Sequence, residues 1–521
     1  MKIQIEKKYL IFPTHSLAKK KRVRFLDGEN EVYALNIRLD QIDPDFFAYV
    51  DVRRFIGKKL WVEISPDTAI TLAQSDKMEG EYNDRLRPYI HFSTKRGWIN
   101  DPNGLVKLGD TYHLFYQHNP AERNWDNMHW GHAISKDLFH WKELPTALFP
   151  DATGTMYSGS AVIDCKNLSG LGKDGQSPVL LYYTAAGRHA SIPVSSTQCL
   201  AYSTDGLRTI EKYGENPVVQ NITEGNRDPK VVWCEELKSY VMSLFMQGDE
   251  FALFTSKDLL SWAELQRVIV PNEYECPNFF PLTATDGKRK WVFTGARDVY
   301  LIGNFQKGKF QATQEAKRMN GATAWYAAQA YTDMSDGRTI RIPWLRTCQA
   351  KTFSQQMGTP CELRLENFDC EYYLSFQPVK EISSIVSNRK TYKNVFLTKP
   401  KKMNLGDCAV SLKLQGEWKK EGIVKLIFFG VEILFNFAKN EIVVGDAVNA
   451  LSLQQKNLDV QILADRSAME FYCDGGKIAF ALSHQAVCDA NLPYVEISSD
   501  CDYRLEDLTI EEYERTWEQN Q

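Results

Sequence analysis

Short runs of Val, Ile, Phe, Tyr and Trp, broken by Gly, Asn, Asp and Pro, recur along the whole chain, and few stretches follow the helical period. That pattern predicts an all-β protein. TYHLFYQ (111–117), SPVLLYYTAA (177–186), KVVWCEELKSYVMSLFM (230–246) and KWVFTGA (290–296) each read as buried strands or hairpins. A weak repeat organises the middle of the chain. AISKDLFHWKEL (133–144), AYSTDGLRTIEKY (201–213) and FTSKDLLSWAEL (254–265) each join a strand, a Ser-x-Asp turn and an exiting hydrophobic strand. Recurrence at roughly 50 to 70 residues is that of four-stranded propeller blades, although Ser-x-Asp turns capping ordinary hairpins would leave a similar trace.

The pattern also divides the chain. Strands such as EVYALNIRL and KLWVEIS fill residues 1–85 as a small β-rich N-terminal module, which ends in a polar, linker-like stretch, KMEGEYNDRLRP. Residues 86–355 carry the propeller pattern. Alternation at period two resumes in EYYLSFQPV, CAVSLKLQ, EGIVKLIFFGVEILFNFA and SAMEFYCDGGKIAFAL, predicting a C-terminal β-sandwich over 366–521.

Composition narrows the partners more than the fold. The 62 Lys and Arg against 66 Asp and Glu give a net charge of −4, with no electrostatic footprint for nucleic acid or an anionic membrane. A neutral substrate fits this balance. The basic cluster Lys19–Arg22 reads as a solvated turn. The 12 Trp, 24 Tyr and 27 Phe suit sugar-stacking surfaces and large β cores equally. Eleven cysteines without a CxxC pair point to reduced thiols rather than a disulfide framework. MKIQIEKKYLIF lacks the apolar run of a secretory signal, so the sequence reads as cytoplasmic, or as extracellular or periplasmic if a leader has been removed. No membrane span is expected, and monomer and dimer both remain open.

Three acids stand in unusual company: Asp101 in GWINDPNGL, Asp228 in NRDPKV and Glu275 in EYECPNFFPL. Each lies beside Pro or one residue from it, at the edge of a strand-like run where a propeller turns its chain near the axis. Asp-Pro and Glu-Cys also close turns in any β protein. Asn100, Asn103 and neighbouring amides would keep Asp101 ionised and able to attack. The fixed charge of Arg227 would hold Asp228 ionised and offer donors to hydroxyls. Glu275, among Tyr274, Cys276, Pro277, Phe279 and Phe280, has an apolar setting suited to a proton donor. A nucleophile and an acid in different surroundings are what a retaining glycosidase uses, with the two carboxyls about 5 to 5.5 Å apart.

At these residues the sequence resembles glycoside hydrolase family 32, which contains invertases, inulinases, levanases and fructan exohydrolases. WINDPNG (98–104), RDP (227–229) and EC (275–276) match its three acidic motifs in order. FYQHNP (115–120), MHWGHAIS (128–135), YSGSAV (157–162), WYAAQ (325–329) and FSQQMGTPCEL (353–363) extend the similarity over residues 86–365, and ILADRSAMEFYCDGG (462–476) carries it into the C-terminal region. The resemblance implies a five-bladed propeller with Asp101 as nucleophile, Glu275 as acid/base and Asp228 as a binder of fructose hydroxyls in the transition state. It also implies that Asn100, Gln117, Trp125, Tyr157, Ser158, Arg227 and Trp344 line a fructosyl pocket. Trp125 and Trp344 are otherwise blade-core tryptophans, and the Pro before Trp344 departs from the family's commoner Gly.

The implied reaction releases fructose from levan, inulin, fructooligosaccharides or sucrose, in exo fashion, through a covalent fructosyl-enzyme and without cofactor or metal. A fructosyltransferase would use the same intermediate. A non-catalytic carbohydrate-binding propeller is the reading from another class. His129 and His132 in HWGH fall on opposite faces of a strand and read as structural.

Overall fold

A computed structural model of the chain describes residues 1–66, 68, 70–80, 82, 84–187, 195–319, 321, 323–332, 334–483 and 493–517. Residues 81 and 83 of the linker-like stretch lie outside the described residues. The described elements are strands with a few 3-10 turns, and none is a helix long and apolar enough to cross a membrane.

Five blades form the propeller, the first and the last joined in one nine-stranded sheet. Blade I contains strands Gly97–Leu108, Thr111–Asn119, His129–Ser135 and Lys142–Leu148; blade II contains Thr155–Ile163, Val179–Ala186, Thr197–Ser203 and Glu211–Lys212. Blade III runs through Arg227–Cys234, Ser239–Gln247, Glu250–Ser256 and Ala263–Ile269, and blade IV through Asn278–Thr283, Arg289–Thr294, Val299–Gln306 and Lys309–Ala312. Blade V is Trp325–Tyr331, Ile340–Gln349, Cys361–Phe368 and Glu371–Pro378. The first strand of each blade touches the first strand of the next, and that of blade V returns to blade I, so the five inner strands ring an axis. Strand Phe353–Met357 ties the ends together, parallel to Gly97–Trp98 and antiparallel to part of Ile340–Gln349.

Each seam between blades has its own apolar filling. Phe115 and Trp130 meet Leu181 and Tyr183 between blades I and II, and Phe251 meets Phe293 between III and IV. Every such side chain removed from water contributes roughly 1.5–3 kcal/mol, and these strands are long continuous hydrophobic runs because both faces are covered.

The Ser-x-Asp repeat is the corner leading to the outermost strand of blades I to III. Ser135, Ser203 and Ser256 hydroxyls accept the backbone N–H of Leu138, Leu207 and Leu259 at 2.9, 2.9 and 2.8 Å, and each also bonds the Asp two residues on. Those leucines take φ near +65 to +69°, a strained conformation for a branched residue, offset by complete or near-complete burial of the side chain. Blade repeat and hairpin cap are therefore the same feature.

Two six-stranded sheets pack face to face at the C-terminal end. Val410, Leu412 and Leu414 and Val460 and Ile462 oppose Val424, Leu426 and Phe428 and Ile433 and Phe435 at period two. EYYLSFQPV does not belong there. Its strand, Glu371–Pro378, pairs with Cys361–Phe368 as the edge of blade V, and Tyr372, Leu374 and Phe376 on one of its faces cover Phe280 and Ile302 of blade IV. At the N-terminal end, strands Lys2–Gln4, Lys59–Ser65, Lys21–Asp27 and Asn30–Ile37 form one sheet, and Phe46–Asp51, Tyr9–Thr14 and Ala73–Ser75 a second. The Lys19–Arg22 cluster is not a solvated turn. Lys20 pairs with the buried Asp126 of blade I, and Lys21 and Arg22 open a strand.

Candidate active site

At one end of the axis, four inner strands break register at a residue of interest: between Ile99 and Pro102, Tyr157 and Gly159, Arg227 and Lys230, and Tyr326 and Gln329. A bulge re-aims a side chain that regular pairing would point into a blade. Asn100 and Asp101, Ser158, Asp228 and Tyr326 stand at or beside these bulges. On blade IV the same task falls to the turn before the strand, where Glu275 and Cys276 have φ of 26° and 46°. Asp228, at φ 65°, is held similarly, its N–H donating to Thr184 Oγ1 at 3.0 Å. The Glu275 turn is anchored from behind by Glu273, whose carboxylate accepts N–H groups of Tyr274, Arg297 and Val299 at 2.7–2.8 Å. Gly295 allows this approach, since a Cβ there would lie 2.9 Å from the Glu275 carbonyl oxygen.

The three acids converge. Cys276 links two of them, its thiol 3.5 Å from Asp101 Oδ2 and 3.4 Å from Asp228 Oδ2, while its N–H donates to Asp228 Oδ2 at 3.0 Å. Ser158 Oγ donates to Asp101 Oδ2 at 2.6 Å. Arg227 donates to Glu275 Oε2 through Nε and Nη2 at 3.1 and 2.7 Å and lies 3.7 Å from Asp228. Tyr326 O–H donates to Glu275 Oε1 at 2.7 Å. The guanidinium of Arg227 itself packs beside the Phe245–Tyr274 pair, 4.4 and 5.4 Å from the ring centres.

The electrostatics differ from the sequence expectation at Asp101 and Asp228, and the surroundings differ at Glu275. Burial pushes Asp101 up to about 6, and the nearby Glu275 charge adds to it, against the hydrogen bonds of Ser158, Asn100 and Cys276. Arg227 does not hold Asp228 below its ordinary value. Burial outweighs that neighbour, and with the charges of Glu275 and Asp101 it raises Asp228 to about 7. Glu275 does not sit in an apolar nest, because its carboxylate faces Arg227 and Tyr326 while Phe279 and Phe280 are buried in separate packing clusters.

The remaining predicted residues fall around this centre. Asn100 Oδ1 accepts from Trp98 Nε1 at 2.9 Å. Gln117 is buried, donating to the Met156 carbonyl at 2.9 Å, and reaches Asn103, whose amide also lies 3.2 Å from Ser158 Oγ. Trp125 is no blade-core residue: it is 39% exposed and stands edge-on to Tyr157 at 5.9 Å. Trp344 packs against Trp98 and Tyr326, both at 5.9 Å, and donates to Gln355. His129 bonds Tyr33, and His132 stacks on Phe115, away from the acids. Tyr326, Thr184 and the Cys276 thiol are the contributors that single-residue reasoning missed. Two of them stand inside the WYAAQ and EC motifs, so a search for donors beside acids would have found them.

Carboxylates gathered at the end of a propeller axis, with donors on each and tryptophans beside them, define a site of the glycosidase type. The chain belongs to glycosyl hydrolases family 32, whose N-terminal domain model matches residues 91–378. A levanase of Bacillus subtilis (strain 168) is 34% identical over 346 residues, 61% of this chain and 50% of the levanase. The extracellular exo-inulinase of Aspergillus awamori is 32% identical over 370 residues, 61% of this chain and 69% of the relative. The crystal structure of exo-inulinase from Aspergillus awamori has a TM-score of 0.75 at 25% identity, over 84% of this chain and all of that one. The match with the levanase thus spans half the length of that relative.

Proposed function

We propose that the chain is a retaining β-fructosidase that releases fructose from the end of a fructan, a fructooligosaccharide or sucrose. The observation that carries this reading is the convergence of Asp101, Asp228 and Glu275 around Cys276, with a different set of donors on each acid. Asp101 attacks C2 of the fructosyl unit while Glu275 protonates the leaving oxygen; the C2–O bond breaks and a fructosyl ester forms on Asp101. Glu275, now ionised, then takes a proton from water as that water displaces Asp101 from C2, restoring both residues.

Each neighbour has a task in this sequence. Ser158 fixes the rotamer of Asp101, and Tyr326 and Arg227 hold Glu275 in reach of the leaving group. Asp228, with its backbone N–H and carboxylate both tied down, accepts from sugar hydroxyls. The levanase and inulinase relatives support fructans as the substrate class. Sucrose, inulin and levan supplied side by side test the proposal: free fructose is the expected early product. Elongated oligosaccharides as the main product would replace hydrolysis by transfer, and inertness on all three would remove the activity.

A further inference from the structure

We propose that the N-terminal sheets are a positioning device for the substrate loop that carries Trp125, so that residues outside the propeller set the affinity for the sugar. This rests on the β-fructosidase reading of the pocket. The loop runs from Asn119 to His129 between two strands of blade I; Asn124 and Trp125 are its exposed residues, and it contacts the N-terminal sheets through Ala121, Glu122, Arg123, Asp126, Asn127 and His129. Ala121, wholly buried, is part of the apolar core of those sheets beside Phe12, Phe25 and Leu35.

The polar residues of the loop are bound to the same neighbour. Glu122, 4% exposed, accepts the Arg38 N–H at 2.7 Å and pairs with the Arg38 guanidinium. Asp126, 2% exposed, pairs with Lys20. Asn127 exchanges two hydrogen bonds of 2.7 Å with the backbone of Asn36, as a paired strand would. Arg123 pairs with Asp45 at 3.1 Å, and Tyr33 O–H meets His129 Nε2 at 2.7 Å. Buried carboxylates are costly unless paired, so the loop conformation depends on these partners being present.

This framework leaves Asn124 and Trp125 exposed, and the indole of Trp125 stands edge-on to Tyr157, whose neighbour Ser158 holds Asp101. A loop fixed at both flanks presents that ring without the entropy loss that ordering it on sugar binding would cost. The N-terminal sheets thus act on binding rather than on the chemical step. Arg38 and Lys20 are positioning residues acting through Trp125.

A double-mutant cycle tests this in the full chain, with kcat and KM measured on sucrose and on inulin. Arg38→Met with Lys20→Met is expected to raise KM about tenfold with kcat within about twofold, as is Trp125→Ala. Combining all three should be no worse than Trp125→Ala alone, because the first two act through the third. Lys20→Arg, which keeps the ion pair, should retain the wild-type KM. Should the double variant fail to fold, Lys20→Met alone and its combination with Trp125→Ala form the same cycle. Additive losses, or an unchanged KM in the folded interface variants, overturn the proposal while leaving the β-fructosidase reading intact. A wild-type chain inert on both sugars removes both.

Discussion

Two buried clusters of ionisable groups, one at the propeller axis and one at the seam with the C-terminal sandwich, use similar residues to opposite ends. At the seam, His91 lies between Asp465 and Glu470, at 2.9 and 3.1 Å. Asp465 also accepts the N–H groups of Tyr89 and Ile90, and Glu470 those of Trp325 Nε1 and Thr359. Burial alone would neutralise His91, but the two carboxylates overcome it and raise the imidazole to about 10, while both acids are held below their ordinary values. At the axis, one guanidinium serves only Glu275 and Asp228 of the three carboxylates, and Asp101 and Asp228 are pushed up instead. The seam is a satisfied network and stabilises; the axis is left short of positive charge and donors, which suits groups that must react.

Neutralising an acid in each cluster should separate these roles. Asp101→Asn is expected to lower turnover by about four orders of magnitude or more, as loss of a nucleophile does, with the fold intact. Wild-type-like turnover would remove Asp101 from the mechanism. His91→Leu should do the reverse: it strands two buried carboxylates and costs about 3–5 kcal/mol in denaturant unfolding, while kcat/KM of the folded protein stays within about twofold.

The pH dependences should diverge in the same way. The stabilisation from charged His91 is complete below its unfolded value of 6.5 and is lost as pH rises through about 10, so thermal stability should fall along that limb and His91→Leu should flatten it. Activity should instead fall on the acid side, as Asp101 protonates below about 6. The smallest effect is again at Asp101. Its folded value lies above the unfolded 3.8, so the penalty of ionising it is complete above about pH 6 and relieved as pH falls toward 4. Asp101→Asn should therefore be more stable than wild type at pH 7, by on the order of 1 kcal/mol after allowing for its partial exposure, and the gain should fade in acid.

Much of this is legible in the sequence. Period-two runs marked the strands, the Ser-x-Asp repeat marked blade corners, and proline-flanked acids marked the axis. The misreadings share one cause, which is that local sequence does not say what lies across a seam. Glu371–Pro378 alternates like a sandwich strand but is claimed by blade V. Arg227 adjoins Asp228 in sequence yet donates through Nε and Nη2 to Glu275, 48 residues away. Nothing local in the sequence marks His91, because its partners lie 374 and 379 residues downstream.

The central assignment is that Asp101 becomes covalently bonded to fructose. Removing the acid/base by Glu275→Ala and supplying a fructoside with a good leaving group should let the first step proceed while the second stalls. Mass spectrometry of the quenched, digested protein should then find one fructosyl residue on the peptide containing Asp101. A label on Asp228 or elsewhere, or continued fructose release with no labelled peptide, would contradict it.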